Sequence, residues 1–108
     1  MKKDTLKYNI VEYIPAGCEN AVSRKTLCII TGMSDREVRA MIERARRETI
    51  IISNTDGSGY WLYPDNPTEH EKEMLQRYVK QQESRAKSIF YALYPARKAI
   101  KEGGANGR

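Results

Sequence analysis

Residues 27–39 read LCIITGMSDREVR, and they decide the fold because they carry the signals of two helices joined by a tight turn. Cys28 supplies a small side chain where the two helices cross. Gly32 stands where the first helix must stop, since glycine tolerates the positive φ that such a turn requires. Ser34 and Glu37 have the spacing of a capping box, in which each side chain accepts a hydrogen bond from an orphan backbone N–H. The second helix is therefore predicted to begin at Ser34.

The apolar residues on both sides of this turn predict the face that each helix buries. Ser23 is a suitable N-cap for a short helix over residues 24–31. We expect Leu27 and Ile30 to face the core from that helix. In the second helix, apolar side chains recur at i, i+3, i+4 and i+7 and predict one buried face, made of Val38, Met41, Ile42 and Ala45.

The flanking segments predict a helix before this pair and a β-hairpin after it. Helical spacing of apolar residues over 4–14 predicts an amphipathic first helix, which Pro15 ends. Residues 50–52 are three isoleucines, which favour a strand, and residues 60–63 (YWLY) return as a second strand. The glycine-rich residues 54–59 connect them. The predicted fold class is mainly α with a small β-hairpin.

Residues 27–39 resemble the winged helix-turn-helix DNA-binding families, and the hairpin around Gly57-Ser58-Gly59-Tyr60 resembles their wing. The resemblance covers about residues 4–63. More loosely, the chain resembles small winged-helix proteins of bacteriophages and prophages of Gram-positive bacteria. The resemblance implies a protein that reads double-stranded DNA, as a transcriptional regulator or a phage-type replication accessory protein. The two cysteines form no disulfide framework and fit a reducing cytoplasm, so we expect a cytoplasmic protein.

The resemblance also implies which side chains contact DNA. Helix 34–48 would enter the major groove with its N-terminal residues foremost. Arg36 and Arg39 are then the candidates for base edges, because a guanidinium pairs bidentately with guanine. The other candidates are Ser34, Glu43, Arg44 and Arg47 on the same helix, Ser23, Arg24 and Lys25 at the start of the preceding helix, and Asn54 and Ser58 in the hairpin loop.

Charge supports this interpretation on one helix only. Residues 34–47 contain five arginines and no lysine, and arginine is the better residue for bidentate anion recognition. The alternative is a solvated face with salt bridges from Glu43 to Arg39 and to Arg47. Most of the net charge of +5 lies elsewhere, since residues 1–67 carry a net of +1 and residues 68–108 a net of +4. A protein–protein interaction adaptor with the same fold therefore remains an alternative function.

A long amphipathic helix follows the hairpin. Thr68 and Glu71 form a second capping box, and the helix is predicted to run to about Tyr94, where Pro95 ends or kinks it. Its apolar stripe consists of Leu75, Tyr78, Val79, Gln82, Ala86, Ile89, Phe90 and Leu93. The stripe can complete the core, or pair with a second copy in a homodimer. The basic face can instead bind acidic lipid or nucleic acid. Dimerisation is preferred, because monomers rarely expose such a stripe.

The predicted domains are a winged helix-turn-helix domain over residues 1–65, a C-terminal helix over 66–101 and a disordered tail over 102–108. No enzymatic site, metal or cofactor is expected, because His70 is the only histidine and Cys18 and Cys28 lack zinc-site spacing. No signal peptide or membrane span is predicted, so we expect no membrane partner. The expected partners are double-stranded DNA, a second copy of the chain or another protein.

Overall fold

The computed structural model describes residues 9–54 and 56–103, which are mainly helical with one two-stranded antiparallel hairpin. This confirms the predicted class of mainly α with a small β-hairpin. In chain order the elements are the 3-10 helices Ile10–Tyr13 and Cys18–Asn20, the helices α1 (Arg24–Thr31) and α2 (Asp35–Ala45), the strands β1 (Ile51–Ser53) and β2 (Tyr60–Leu62), and the helices α3 (Glu69–Ala92) and α4 (Tyr94–Lys101). None of the described helices is long and apolar enough to span a membrane.

The described chain forms two compact units, one that ends at Leu75 and one that begins at Gln76. The predicted division into domains at residues 65 and 101 stays a prediction. The predicted disordered tail lies mostly outside the described residues, which end at 103.

The turn between α1 and α2 forms as the sequence predicts. Ser23 Oγ accepts a hydrogen bond from the Thr26 N–H at 3.0 Å and caps α1. Gly32 ends α1 with a φ of 75°. Ser34 Oγ accepts from the Glu37 N–H at 3.1 Å, and Glu37 Oε1 accepts from the Ser34 N–H at 2.9 Å. Both ends of the turn are therefore fixed by local hydrogen bonds, which set where α2 begins.

A single apolar cluster holds the first unit together. Val38 and Ile42 are buried, and Met41 and Ala45 pack against them half-buried, so the predicted core face of α2 is confirmed. The buried members of the cluster are Ile10, Ile14, Leu27, Met33, Val38, Ile42 and Ile51.

The predicted burial of Ile30 is wrong, because its side chain is 52% exposed. Thr31 is buried instead, and its Oγ1 donates to the Leu27 carbonyl at 2.7 Å and accepts from the Met33 N–H at 3.1 Å. Leu27 and Thr31 are four residues apart and therefore share one face of the helix. Because that face is buried, Ile29 and Ile30 face solvent.

The hairpin begins one residue later than predicted. Ile51 pairs with Leu62 and Ile52 with Trp61, whereas Ile50 is 48% exposed. Val22 and Tyr60 exchange two backbone hydrogen bonds, at 2.9 and 2.8 Å. The segment before α1 is thereby fixed to β2, which places the N-terminus of α1 beside the hairpin.

The predicted helix over residues 4–14 lies partly outside the described residues, and its described part is not an α-helix. Only Ile10–Tyr13 is helical, as a short 3-10 helix capped by Asn9. Ile14 is extended with a ψ of 119°. Pro15 explains this conformation, since proline disfavours α geometry in the residue before it.

The capping box at the start of α3 is confirmed, and its Glu71 side chain also makes a contact that the sequence does not indicate. The Thr68 and Glu71 backbone N–H groups are paired with the side chains of Glu71 and Thr68, each at 3.0 Å. The second carboxylate oxygen of Glu71 accepts from the Cys18 N–H at 2.9 Å. Glu71 is 6% exposed, so one carboxylate joins the first turn of α3 to the Cys18–Asn20 turn.

The predicted break at Pro95 is also confirmed. Helix α3 ends at Ala92, and α4 begins at Tyr94 with proline in its first turn. The Arg97 N–H donates to the Leu93 carbonyl at 2.8 Å, so helical hydrogen bonding resumes directly after the break. Proline has no N–H to donate, which accounts for the interruption.

We expect Glu71→Ala to lower the free energy of unfolding by about 2 kcal/mol, because the Cys18 and Thr68 N–H groups lose their acceptor. Glu73→Ala is the control, since Glu73 is an exposed carboxylate two residues farther along the same helix. Urea unfolding at neutral pH measures both variants. Equal free energies of unfolding for the two would contradict the structural role of Glu71.

The contribution of Glu71 should also depend on pH. Hydrogen bonds from the Thr68 and Cys18 N–H groups lower the pKa of Glu71 below its ordinary value of 4.5. The unfolded chain then binds the proton more readily, so this stabilisation is complete above pH 4.5 and is lost as the pH falls through the lowered pKa. The difference between wild type and Glu71→Ala should therefore shrink in acid. If the difference in free energy of unfolding between wild type and Glu71→Ala stays constant down to about pH 3, where an ordinary carboxylate is protonated, this linkage is excluded.

Candidate nucleic-acid interface

The outer face of α2 is exposed along its whole length. Burial of Val38 and Ile42 fixes the rotation of the helix, because residues three and four apart lie on one side. The opposite side carries the exposed residues Arg36, Arg39, Ala40, Glu43 and Arg44. The helix ends at Ala45, before its predicted end at residue 48, so Arg47 is exposed in the turn that follows. The structure therefore brings together every contact predicted for this helix beyond its Ser34 cap.

Three of these arginines are available to a ligand. Among the described residues, no ion pair or side-chain hydrogen bond involves Arg36, Arg44 or Arg47. Their side chains are exposed, and their positions are 3 to 11 residues apart along the chain. An anion that approaches this face meets positive charge with no internal partner to displace.

Asp35 organises the N-terminal end of the face. Its carboxylate accepts hydrogen bonds from Arg24 Nε on α1 and from Arg39 Nε on α2, the second at 3.2 Å. These bonds, with that from Arg24 the strongest, lower the pKa of Asp35. Arg39 is thus held by Asp35 and not by Glu43, so the Arg39–Glu43 salt bridge of the alternative interpretation is not formed. Arg39 stays exposed and is oriented along the helix.

Arg24 is more constrained than the sequence suggests. Besides its bond to Asp35, its Nη1 donates to Tyr60 Oη at 3.2 Å. The bonds to Tyr60 and to Asp35 raise the pKa of Arg24. Arg24 therefore links α1, α2 and β2, and only part of its guanidinium faces solvent. Lys25 is exposed beside it.

Arg46 belongs to the fold, although it lies in the same arginine-rich segment. Its Nε donates to the Ile51 carbonyl at 3.0 Å, and its guanidinium carbon lies 5.9 Å from the centre of the Tyr60 ring. Its Nη1 also pairs with Glu43 Oε2 at 3.4 Å. Glu43 therefore pairs with Arg46 and not with Arg47, the partner that the alternative interpretation gave it. Helical spacing is a partial signal for this difference, because Arg46 is four residues after the buried Ile42.

The hairpin loop uses its polar groups internally. Asn54 Nδ2 donates to Ser58 Oγ at 2.7 Å, and Asn54 Oδ1 accepts from Trp61 Nε1 at 2.8 Å. The Asp56 carboxylate accepts from the Ser58 N–H at 2.8 Å. Both predicted contacts in this loop, Asn54 and Ser58, therefore stabilise the loop itself, and Asp56 adds negative charge to it.

Two surface clefts lie next to these groups. Ala40, Glu43, Arg44, Arg46 and Arg47 line one cleft of about 470 Å³ on α2. A second cleft, of about 450 Å³, joins the start of α1 to the hairpin and is lined by Ser23, Arg24, Lys25, Ser53, Asn54, Gly57, Gly59 and Tyr60. The structure thus places Ser23, Arg24, Lys25 and Asn54 around one opening, although they are up to 31 residues apart in the sequence.

Most of the apolar stripe of the long helix is exposed. Leu75 and Tyr78 are half-buried, whereas Val79, Gln82, Ala86, Ile89, Phe90 and Leu93 are exposed. Ile89 and Phe90 are 57% and 58% exposed. Beyond Tyr78 the stripe therefore presents apolar side chains to solvent.

The residues considered for catalysis or metal binding are not assembled into a site. Cys18 and Cys28 are free thiols, and His70 is exposed. Burial and the Glu71 carboxylate raise the pKa of Cys18, which disfavours a reactive thiolate. Within residues 9–54 and 56–103, no three His, Cys, Asp or Glu side chains are grouped to hold a metal ion.

Comparisons with protein-family models, with characterised proteins and with solved structures found no significant match for the chain. The functional interpretation therefore rests on the geometry of α1, α2 and the hairpin.

Proposed function

We propose that the first unit is a winged helix-turn-helix domain that reads double-stranded DNA with α2 in the major groove. The exposed, unpaired arginines of α2 carry the proposal. The two helices joined at Gly32, followed at once by a hairpin fixed beside the start of α1, support the winged-helix assignment. Such a protein serves as a transcriptional regulator or as a phage-type replication accessory protein. The proposed activity is binding, so it requires no catalytic residue and no cofactor.

The roles of the side chains follow from their positions on α2. Arg36 and Arg39 lie in its first two turns, the part of a recognition helix that meets base edges. The hydrogen bond to Asp35 restricts the Arg39 side chain, which lowers the entropy that the arginine loses when it binds a base. Arg44 and Arg47 lie farther along and contact phosphates. The cleft beside Lys25 accepts the neighbouring strand.

Titration of the full chain with a mixed-sequence duplex tests the proposal. Fluorescence anisotropy at about 50 and 200 mM salt should show a loss of affinity of roughly a hundredfold, as expected for about four neutralised phosphates. Absence of binding at low salt, or an affinity that salt does not change, would contradict DNA binding by this face.

The proposal includes a homodimer formed through the exposed part of the stripe on α3. Val79, Ile89 and Leu93 are between 42% and 57% exposed, an apolar surface that a second copy of the helix would bury. A two-fold dimer would present two α2 helices to two half-sites. Light scattering should give twice the mass of one chain; a single-chain mass at every concentration would exclude the dimer.

The exposed isoleucines of α1 favour a second candidate function, a protein-interaction adaptor. Ile29 and Ile30 are 72% and 52% exposed, side by side, in a unit with almost no net charge. Under this alternative, a partner protein stays bound after nuclease treatment and is released by Ile29→Ser with Ile30→Ser. Release by nuclease itself would favour the DNA-binding function.

A further inference from the structure

The C-terminal part of the chain is strongly basic and fully exposed. Residues 84–101 contain five Lys or Arg and no Asp or Glu. Every residue from Val79 to Glu102 is exposed in the structure. A polyanion can therefore approach this segment without meeting a carboxylate before Glu102.

A cleft at the start of α4 combines an aromatic ring with this charge. Tyr94, Arg97, Lys98, Lys101 and Glu102 line it, and its volume is about 470 Å³. The break at Pro95 places Tyr94 in the first turn of α4, so Lys98 and Lys101 follow it on the same side of the helix. The Tyr94 side chain is 67% exposed and presents its ring to solvent. Glu102 is the one carboxylate of the cleft and lies at its far end.

A second aromatic ring, that of Phe90, lies beside the cleft because it contacts Arg97, which lines the cleft. The Arg97 guanidinium carbon lies 5.5 Å from the centre of the Phe90 ring. The rings of Phe90 and Tyr94 and the cations Arg97 and Lys98 thus lie within the same stretch of the chain, with Arg97 against the Phe90 ring. An anionic bilayer is best bound by a helix that separates its apolar face from its charged face. A ring and several cations around one cleft suit a flexible polyanion whose units carry both a planar base and a phosphate.

We propose that the Tyr94 cleft binds single-stranded nucleic acid, with a base stacked on Tyr94 and phosphates bound by Arg97, Lys98 and Lys101. Duplex DNA cannot use Tyr94 in this way, because its bases are already stacked on each other. The inference does not depend on DNA binding by α2, since it uses only residues of the second unit. The chain then carries two separate nucleic-acid sites with different preferences for strand state.

The test uses the full chain and a labelled thymidine oligonucleotide of about 12 nucleotides, close to the length that one such site covers. Tyr94→Ala should weaken single-strand binding about tenfold, because it removes one stacking platform. Tyr94→Phe keeps the ring and should bind as wild type does. Circular dichroism checks that α4 remains helical, which alanine favours.

Two further measurements test whether single-strand binding depends on the Tyr94 cleft itself and not on overall charge. Arg97→Ala with Lys98→Ala should weaken single-strand binding more than Arg77→Ala with Lys80→Ala, which removes the same charge outside the cleft. Tyr94→Ala should leave the affinity for duplex DNA unchanged. Duplex affinity then tests the proposal for α2, and single-strand affinity tests the proposal for the Tyr94 cleft.

Three results would overturn the inference. One is equal single-strand binding by wild type and Tyr94→Ala. Another is binding to vesicles of phosphatidylserine and phosphatidylcholine that Tyr94→Ala abolishes while oligonucleotide binding is kept. The last is a change of oligomeric mass in Tyr94→Ala, which would place this surface in a contact between copies of the chain.

Discussion

Gly59→Ala should lower the free energy of unfolding by about 4 kcal/mol or more, which is exceptional for a single substitution. Gly59 is buried and has a φ of 139°, a conformation that L side chains rarely adopt. A Cβ at this position would overlap the Val22 carbonyl and lie 2.9 Å from Ser23 N. That carbonyl accepts the Tyr60 N–H, so relief of the overlap would break the contact that holds the start of α1 against β2.

Gly57→Ala is the matched control in the same loop. Gly57 also has a positive φ, of 80°, but a Cβ there would meet nothing within 4 Å. Its cost should be about 1–2 kcal/mol, the backbone penalty alone. Trp61 is the one tryptophan and is fully buried, so its fluorescence reports unfolding in urea directly. Similar losses in both variants would mean that Gly59 does not depend on the close approach of Val22.

Arg36→Ala with Arg39→Ala should weaken binding to the preferred duplex about a hundredfold and reduce discrimination between sequences. Each arginine that pairs bidentately with guanine contributes about 1–3 kcal/mol of discrimination. Both side chains are exposed, and Asp35 keeps its partner Arg24 when Arg39 is removed. The fold should therefore survive the double substitution, and the loss should lie in recognition.

Arg77→Ala with Lys80→Ala is the control for this pair, because it removes the same charge from exposed positions on α3. It should weaken duplex binding only severalfold and leave sequence preference intact. Selection of bound sequences from a random duplex pool, followed by anisotropy titration, measures both quantities. Equal effects of the two double substitutions would show that only overall charge matters, and would contradict base reading by α2.

The features that the sequence predicts correctly are those set by neighbours along the chain. Ser34 and Glu37 are three residues apart, so their reciprocal capping needs no tertiary contact. The same holds for the positive φ of Gly32 and for the break at Pro95. Each of these signals acts within about one turn of helix, which makes it readable without the fold.

The features that the sequence does not predict depend on contacts between distant segments. Cys18 and Glu71 are 53 residues apart, and Arg24 and Tyr60 are 36 apart. Arg46 lies on the buried side of the helix by its spacing from Ile42, but its partner is set only by the fold, where β1 supplies the Ile51 carbonyl. These contacts decide which cations support the fold and which face solvent.

The predicted burial of Ile30 is wrong for a related reason. Helix α1 has eight residues, so spacing of three or of four from Leu27 fits the sequence about equally well. The hydroxyl of Thr31 can be satisfied inside the helix by the Leu27 carbonyl, which allows a polar residue to take the buried place. A prediction based on apolar character alone therefore places Ile30 in the core, where the structure has Thr31.

Amide chemical-shift mapping of the full chain with a bound duplex tests the central claim most directly. DNA recognition by α2 predicts shifts concentrated in Asp35–Ala45, with a second group at residues 23–25 beside the hairpin cleft. Shifts confined to the isoleucine surface of α1 or to α4, with α2 unperturbed at saturating duplex, would contradict the account.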